Sequence, residues 1–199
     1  MKIIFLDNDG VICLSNNWGG RSKKWAKYRS ENPNGSQFKP DAPVFVRFDD
    51  FDTKAVKVLN SVLEETGAEI VVSSDWRYHA SLEELGDYYE SQGIIKRPIG
   101  ITSKTQDIDP IIWQQLRFRA DLELERYIEI TDYITKHPEI TNWVAVDDLN
   151  MSVDYLSKHF SNRKDDGIKP GLTNFVLTPK DNEGIKQSGV KDKILSFLQ

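Results

Sequence analysis

Two aspartates, spaced one residue apart, follow the first apolar run of the chain. The run covers residues 3–6, and Asp7 and Asp9 come directly after it. Four consecutive apolar residues at this position predict a strand that is buried on both faces, as in parallel sheets. At period two the two carboxylates leave the strand on the same side. Open α/β sheets bind ligands at the carboxyl ends of their strands, so we expect Asp7 and Asp9 at a binding edge.

Two carboxylates this close repel each other when both are ionised. Either a positive group stabilises both charges, or one carboxyl keeps its proton. A divalent cation such as Mg²⁺ provides the first solution, because it prefers carboxylate and carbonyl oxygens. The alternative is a purely structural turn, since Asn8, Asp9 and Gly10 are also good turn residues. Gly10 permits a sharp turn in either case.

A second apolar run ends in hydroxyl and guanidinium groups. Residues 69–72 predict a strand, and Ser73, Ser74 and Arg77 follow it. Two hydroxyls and an arginine at a strand end can hold a phosphoryl group by hydrogen bonds and a bidentate pair. For Arg77, phosphate binding and an ion pair with Asp75 remain equally good predictions.

A third apolar run repeats the logic of the first. Residues 142–146 predict a short buried strand, and Asp147 and Asp148 are adjacent at its end. If this strand lies in the same parallel sheet, its carboxylates reach the same edge as Asp7 and Asp9.

Strands and helices alternate along the whole chain. We expect further strands within 94–102 and at 174–177. We also expect three helices that begin after the caps Asp52, Ser81 and Asn150. Two more helices are expected, one over about 122–136 and one at 190–198 with a cap near Ser188. Residues 103–121 predict a loop with a short helix. This alternation predicts one three-layer α/β domain over 1–199, with a mostly parallel, Rossmann-like sheet of five strands.

Composition limits the class of protein. The 199 residues carry a net charge of −5 and a single cysteine, Cys13. A protein of this composition is expected to be globular, without an intramolecular disulfide or a cysteine metal cluster. No apolar run approaches the ~20 residues that span a membrane. No signal-peptide pattern is present, which predicts a cytoplasmic protein, monomeric by default. Contact with nucleic acid would need a local basic patch.

Such a patch lies in the insert at about 13–48. Residues 17–30 hold five basic side chains, no acidic one, and three interleaved aromatics, Trp18, Trp25 and Tyr28. This composition could hold phosphates and stack bases, with Arg21 and Lys24 as candidate phosphate ligands. The alternative is a short basic helix that is packed by its aromatics and has a solvated charged face.

The three strand ends together resemble the haloacid dehalogenase (HAD) superfamily of phosphotransferases. The resemblance extends to the branch described as HAD domains of Swiss Army Knife RNA repair proteins. It spans nearly the whole chain, and the basic insert and residues 103–121 match least well. The motifs that carry it are residues 5–11 (FLDNDGV), 66–77 (TGAEIVVSSDWR), Arg126 with 129–130, and 144–148 (VAVDD).

The resemblance implies a role for each carboxylate. Asp7 would be the nucleophile that forms an aspartyl-phosphate. Asp9 would protonate the leaving group and then act as base for the hydrolytic water. Asp147 and Asp148 would complete a Mg²⁺ site with Asp7 and the backbone carbonyl of Asp9.

The resemblance also implies a hydroxyl and a cation beside the phosphoryl group. Ser73 and Ser74 both qualify as the hydroxyl, and Ser74 is favoured because it precedes the Asp-Trp-Arg turn. Arg126 matches the branch pattern for the cation, with Lys136 as the second candidate. Asn8 stands where the family often has an apolar residue, and it could bond within the loop or contact substrate. Trp76 is expected in the core, and no large cap domain is visible.

The resulting expectation is a Mg²⁺-dependent phosphomonoester hydrolase that acts on a nucleic-acid end or a nucleotide. A small-metabolite phosphatase is the second reading within the enzyme class. A non-catalytic metal- or phosphate-binding module on the same fold is the alternative from another class. A response-regulator receiver is disfavoured, because its acidic pair and phosphoacceptor come in a different order along the chain.

Overall fold

The computed structural model describes residues 1–34, 41–111, 114, 121–160 and 170–199 of the chain. Five parallel strands form one sheet: β1 (Lys2–Leu6), β2 (Glu69–Val72), β3 (Gly100–Ile101), β4 (Asn142–Asp147) and β5 (Phe175–Leu177). Their order in the sheet is β3-β2-β1-β4-β5. The strand that carries Asp7 is therefore central, between the strands that end in the serines and in the second acidic pair.

The described residues include the helices α1 (Gly20–Glu31), α2 (Val44–Arg47), α3 (Thr53–Thr66), α4 (Leu82–Ser91), α5 (Thr105–Ile108), α6 (Leu122–Lys136), α7 (Val153–Phe160) and α8 (Val190–Leu198). Short 3₁₀ turns occur at Ser15–Asn17, Asp75–Tyr78 and Gly184–Lys186. Of the region predicted as a loop with a short helix, α5 belongs to the described part, while residues 112–113 and 115–120 lie outside it.

Alternate residues of β1 point to opposite faces of the sheet, as the strand period requires. Ile4 and Leu6 pack with α3, α4 and α8 on one face. Ile3 and Phe5 pack with α6 and α7 on the other face. All four side chains are fully buried. The fold is thus the expected three-layer α/β architecture with a Rossmann-like sheet, and the sheet is entirely parallel.

Capping groups explain where several helices begin. Asp52 accepts hydrogen bonds from two backbone N–H groups at the start of α3, and Ser81 forms a capping box with Glu84 at α4. Two sequence predictions about caps need correction. At α7 the Ser152 hydroxyl accepts from the Tyr155 N–H at 3.3 Å. The Asn150 side chain lies one step earlier and accepts from the Ser152 hydroxyl at 2.8 Å and from the Ser152 N–H at 3.1 Å. Gly189 precedes α8 without a side-chain cap.

The segment between β1 and α3 carries only short elements among its described residues, namely one 3₁₀ turn, α1 and α2. No large cap domain lies in this part of the structure, as the sequence predicts. Within the described ranges, no helix is both long and apolar enough to cross a membrane. The single-domain organisation and the cytoplasmic location remain predictions.

Candidate active site

The turn after β1 presents the first two carboxylates. The Asn8 carbonyl accepts hydrogen bonds from three successive N–H groups, at 2.8–3.2 Å from residues 11, 12 and 13, which closes the turn tightly. Gly10 adopts a φ of 70° within it. Asp7 is buried, whereas Asp9 is half-buried. The two carboxylates therefore leave the same turn into different surroundings.

Three carboxylates converge at the centre of this edge. One oxygen from each of Asp7, Asp147 and Asp148 lies within 4.8 Å of the others. A Cβ on Gly10 would approach the Asp148 carboxylate to 2.4 Å, so the absence of a side chain at Gly10 makes room for Asp148. Burial, followed by the charge of Asp7, raises the pKa of Asp148 to about 6. The Asp9 side chain is not a member of this group; its expected contribution is the backbone carbonyl.

Arg126 lies against this cluster from the start of α6. Its Nη1 atom is 3.2 Å from Oδ1 of Asp7 and 3.0 Å from Oδ2 of Asp147, and it also donates to the Ser73 carbonyl. Its Nη2 atom is 3.0 Å from Asp75. Burial by itself lowers the pKa of Arg126, but the charges of Asp147 and Asp7 outweigh it, so the guanidinium remains charged.

Lys136, the second candidate for the cation, does not reach this site. It is ten residues further along α6, which places it about 15 Å along the helix axis from Arg126. Its side chain is 59% exposed and pairs with Asp132 at 2.8 Å. The structure therefore brings Arg126 to Asp7 and leaves Lys136 at the opposite end of the helix.

The donor set fits a hard divalent cation. Burial is the main factor that raises the pKa values of Asp7 and Asp147, and Arg126 opposes it without cancelling it. Three carboxylates against one guanidinium leave negative charge that is not compensated. Oxygen ligands with this charge balance are those that Mg²⁺ prefers.

The two serines after β2 differ in their contacts. The Ser74 hydroxyl lies close enough to Asp7 to lower the pKa of that carboxyl, and it accepts from the Trp76 N–H at 3.5 Å. The Ser73 hydroxyl is buried and has no hydrogen-bond partner among the described residues. The geometry thus places Ser74 beside Asp7, as the sequence argument favours.

Asp9 lines a cleft of about 520 Å³ together with Trp76 and Arg77. Its Oδ2 atom accepts a hydrogen bond of 2.8 Å from Nε1 of Trp76. Trp76 is buried as expected, stacked on Phe48 at 4.1 Å and on Phe51 at 5.4 Å between ring centroids. Burial raises the pKa of Asp9, and the Trp76 hydrogen bond partly offsets this effect.

Two candidate phosphate ligands are buried and bonded within the fold, although Arg77 also lines the cleft that contains Asp9. The Asn8 side chain is fully buried, and its amide oxygen accepts a hydrogen bond of 2.5 Å from the Tyr89 hydroxyl within the fold. Arg77 is buried and pairs with Glu129. Its distance to Asp75 is 3.6 Å, so the partner that the sequence suggested is the weaker of the two.

The two basic candidates of the insert behave differently. Arg21 lines the cleft with Asp9, and its side chain is 51% exposed with Nε 3.6 Å from Asp49. Lys24 instead pairs with Asp50 at 2.8 Å and approaches the Tyr88 hydroxyl at 3.4 Å. Arg21 therefore remains a candidate at the cleft, whereas Lys24 attaches α1 to the domain.

Two functional neighbours received no role from the sequence, although Glu129 belongs to one of the motifs that carry the family resemblance. The buried carboxylate of Glu129 accepts from Arg77, from the Thr105 N–H at 3.0 Å and from its hydroxyl at 3.1 Å. It also lies 3.8 Å from Arg126, three residues earlier on α6. The spacing of three between Arg126 and Glu129 is a hint of this contact, since such residues share a helix face. Nothing in the sequence pairs Trp76 with Asp9, 67 residues away.

Comparison with known proteins agrees with this geometry. Residues 3–170 match the family described as the HAD domain in Swiss Army Knife RNA repair proteins. No curated protein and no solved structure matched the chain. The matched range includes β1, β2, α6 and β4, the four elements that carry the site. The chain therefore belongs to the family of HAD domains in Swiss Army Knife RNA repair proteins, and its activity is that of a HAD-type hydrolase.

Proposed function

We propose that this protein hydrolyses phosphomonoesters through an aspartyl-phosphate on Asp7, in the presence of Mg²⁺, at a nucleic-acid end or a nucleotide. The observation that carries the proposal is the set of contacts around Asp7. Its carboxylate meets a buried guanidinium, a serine hydroxyl and two further carboxylates. Nucleophile, oxyanion ligands and cation ligands of a phosphoryl transfer thus meet at one point.

In the first step a carboxylate oxygen of Asp7 attacks the phosphorus atom. The bond between phosphorus and the leaving oxygen breaks, and Asp9 donates its proton to that oxygen. In the second step ionised Asp9 accepts a proton from a water molecule, which attacks the phosphorus. The bond to Asp7 then breaks, and inorganic phosphate leaves.

Asp9 is suited to this exchange because burial raises its pKa while the cleft keeps it half-accessible. The Ser74 hydroxyl and the Arg126 guanidinium hold the phosphoryl oxygens. Asp7, Asp147, Asp148 and the backbone carbonyl of Asp9 would hold Mg²⁺, which offsets phosphoryl charge and allows a carboxylate to approach it.

The leaving group occupies the cleft in which Asp9 lies. A volume of about 520 Å³ falls within the range of ordinary small-molecule sites, and it is sufficient for a nucleoside. The family description, which concerns RNA repair, supports a nucleic-acid end or nucleotide over an unrelated metabolite.

The test is phosphate release from 3′-phosphorylated oligonucleotides, 5′-phosphorylated oligonucleotides and nucleoside monophosphates, with Mg²⁺ or with a chelator. We expect turnover that requires Mg²⁺ and that falls by at least about 10³-fold in Asp7→Asn. Asp192→Asn, an exposed position on α8, is the matched control and should keep full activity. Equal turnover in Asp7→Asn and the wild type would exclude the mechanism. A metal-binding module without catalysis would show Mg²⁺-dependent stabilisation and no phosphate release.

A further inference from the structure

Helix α1 is unusual because none of its residues is buried. It carries five basic side chains and one acidic side chain, while the chain as a whole has a net charge of −5. Its aromatic side chains Trp25 and Tyr28 stack on each other and are only half-buried, so the helix gains little from the hydrophobic core. Specific polar contacts contribute to its position, and its exposed surface is available to a partner.

Those contacts attach α1 beside the candidate active site. The residue before the helix, Gly19, has no side chain to cap it, and the carboxylate of Asp49 accepts from the Arg21 N–H at 2.6 Å instead. Lys24 and Asp50 provide the second attachment. The N-terminal end of α1 is thus held where the Arg21 side chain lines the cleft with Asp9.

An exposed aromatic side chain is attached to the turn that carries Asp9. Trp18 is 48% exposed, and its Nε1 atom donates to the Cys13 carbonyl at 3.4 Å. That same carbonyl accepts from the Gly10 N–H at 2.9 Å, within the turn after β1. Trp18 therefore presents an aromatic ring to solvent next to the candidate site, and the indole N–H holds it in place.

Two cations of α1, Lys23 and Arg29, have no acidic partner within the described ranges. Lys23 and Arg29 are exposed, and no ion pair of the described residues involves either of them. Along the helix axis the cations from Arg21 to Arg29 span about 12 Å, eight residues at about 1.5 Å each. This is about the length of three to four stacked nucleotides at 3.4 Å each.

We infer that Trp18, Arg21, Lys23 and Arg29 form a binding surface for a single-stranded polynucleotide whose phosphorylated end lies at Asp7. The inference rests on the proposed function and names its substrate as a polymer end. The phosphates are the groups that the cations contact, and Trp18 stacks a base close to the reacting end. A single strand fits this surface better than a duplex, because only unpaired bases expose a face for stacking.

The test compares a polymer with a monomer on the same variants. Lys23→Gln/Arg29→Gln should lower kcat/KM for a phosphorylated single strand of about six nucleotides by about 10-fold, with no change for a nucleoside monophosphate. Lys136→Gln/Lys193→Gln removes the same charge from exposed positions on α6 and α8. This variant should change kcat/KM neither for the single strand nor for the nucleoside monophosphate. Each lost phosphate contact should also reduce the slope of log affinity against log salt by about 0.7. Trp18→Ala should weaken binding of the single strand about 10-fold, without a change in the slope of log affinity against log salt.

Binding of a fluorescent single strand, measured by anisotropy without turnover, separates this inference from the proposed function. If the single strand binds through α1 but is never hydrolysed, the binding surface is supported and the proposed phosphatase function is excluded. If the protein hydrolyses the monomer, and the α1 variant loses no more kcat/KM for the single strand than the charge-matched control does, the binding surface on α1 is excluded. Tighter binding of a blunt duplex than of the single strand would overturn the assignment of a single strand.

Discussion

The indole Nε1 of Trp76 donates a 2.8 Å hydrogen bond to the carboxylate of Asp9. Trp76 is itself fixed, because it is buried and stacked on Phe48 and Phe51 with interplanar angles of 4° and 22°. The orientation of the proposed general acid is therefore set by a residue that belongs to the core of the domain.

Trp76→Phe tests this relationship, because it keeps an aromatic ring in the stack and removes only the donor. A hydrogen bond to a charged group contributes about 1.5–3 kcal/mol, so we expect kcat to fall about 10-fold or more with little change in KM. The indole N–H favours the ionised form of Asp9, so its loss raises the pKa of Asp9. The limb of the pH–rate profile that reports the titration of Asp9 should therefore move to higher pH. Trp143→Phe, beneath Phe5 on the other face of the sheet, is the control. Identical profiles in the two variants would contradict a positioning role.

The two serines after β2 provide a matched pair. Ser74→Ala removes the hydroxyl that contacts Asp7, and we expect kcat/KM to fall about 10- to 100-fold with the fold intact. Ser73→Ala removes a buried hydroxyl without a partner in the described structure, so stability should be unchanged or slightly higher. Steady-state kinetics and urea unfolding of both variants decide the matter. The reverse order of activities would assign the phosphoryl contact to Ser73.

Arg126 compensates buried negative charge, and this makes it important for stability as well as chemistry. Arg126→Met would leave Asp7 and Asp147 without their cation, and breaking a buried pair in this way costs about 3–5 kcal/mol. Urea unfolding in the presence of a chelator measures the loss. Lys136→Met, on the same helix but exposed, should change the free energy of unfolding by less than about 0.5 kcal/mol. Similar values for both variants would refute the compensating role.

Gly10 and Gly67 separate backbone strain from steric conflict. Their φ angles are 70° and 69°, so an alanine at either position pays the same left-handed penalty of about 1–2 kcal/mol. Only Gly10 faces the Asp148 carboxylate, while nothing lies within 4 Å of a Cβ at Gly67. We expect Gly10→Ala to lose a further 1–3 kcal/mol, roughly the cost of overpacking, together with most phosphate release. Comparable thermal shifts in the two variants would show that Asp148 does not fill this space.

Magnesium should stabilise the folded protein through the acidic cluster. At about 100 times its dissociation constant a bound ion adds about 2.7 kcal/mol, which corresponds to about 5–10 °C in Tm for a domain of this size. Asp148→Asn relieves repulsion between carboxylates, so the metal-free variant should be at least as stable as the wild type. Its response to Mg²⁺ should be smaller, because a ligand is lost. Differential scanning calorimetry at constant ionic strength, with NaCl as control, measures both effects. An undiminished Mg²⁺ response in Asp148→Asn would exclude Asp148 as a ligand.

The sequence by itself determined the order of strands and helices and the edge at which chemistry is expected. Apolar runs that end in polar groups identified β1, β2 and β4, because a strand buried on both faces has only apolar side chains until it leaves the sheet. Parallel connections then place all carboxyl ends at one edge. Asp7, Asp147 and Asp148 could therefore be selected before their positions were known. The choice between Ser73 and Ser74 stayed open, with Ser74 favoured, and Arg126 was named by family resemblance with Lys136 as the second candidate.

Only the tertiary structure decided between residues with the same chemistry. Arg126 and Lys136 are both cations on α6, and the position of the helix against the sheet edge brings only the first to Asp7. For Arg77 the sequence left phosphate binding and a pair with Asp75 equally open, and the structure adds a closer partner, Glu129, that is 52 residues away. Long-range contacts of this kind depend on how helices pack across the sheet, and local spacing along the chain carries no record of that packing.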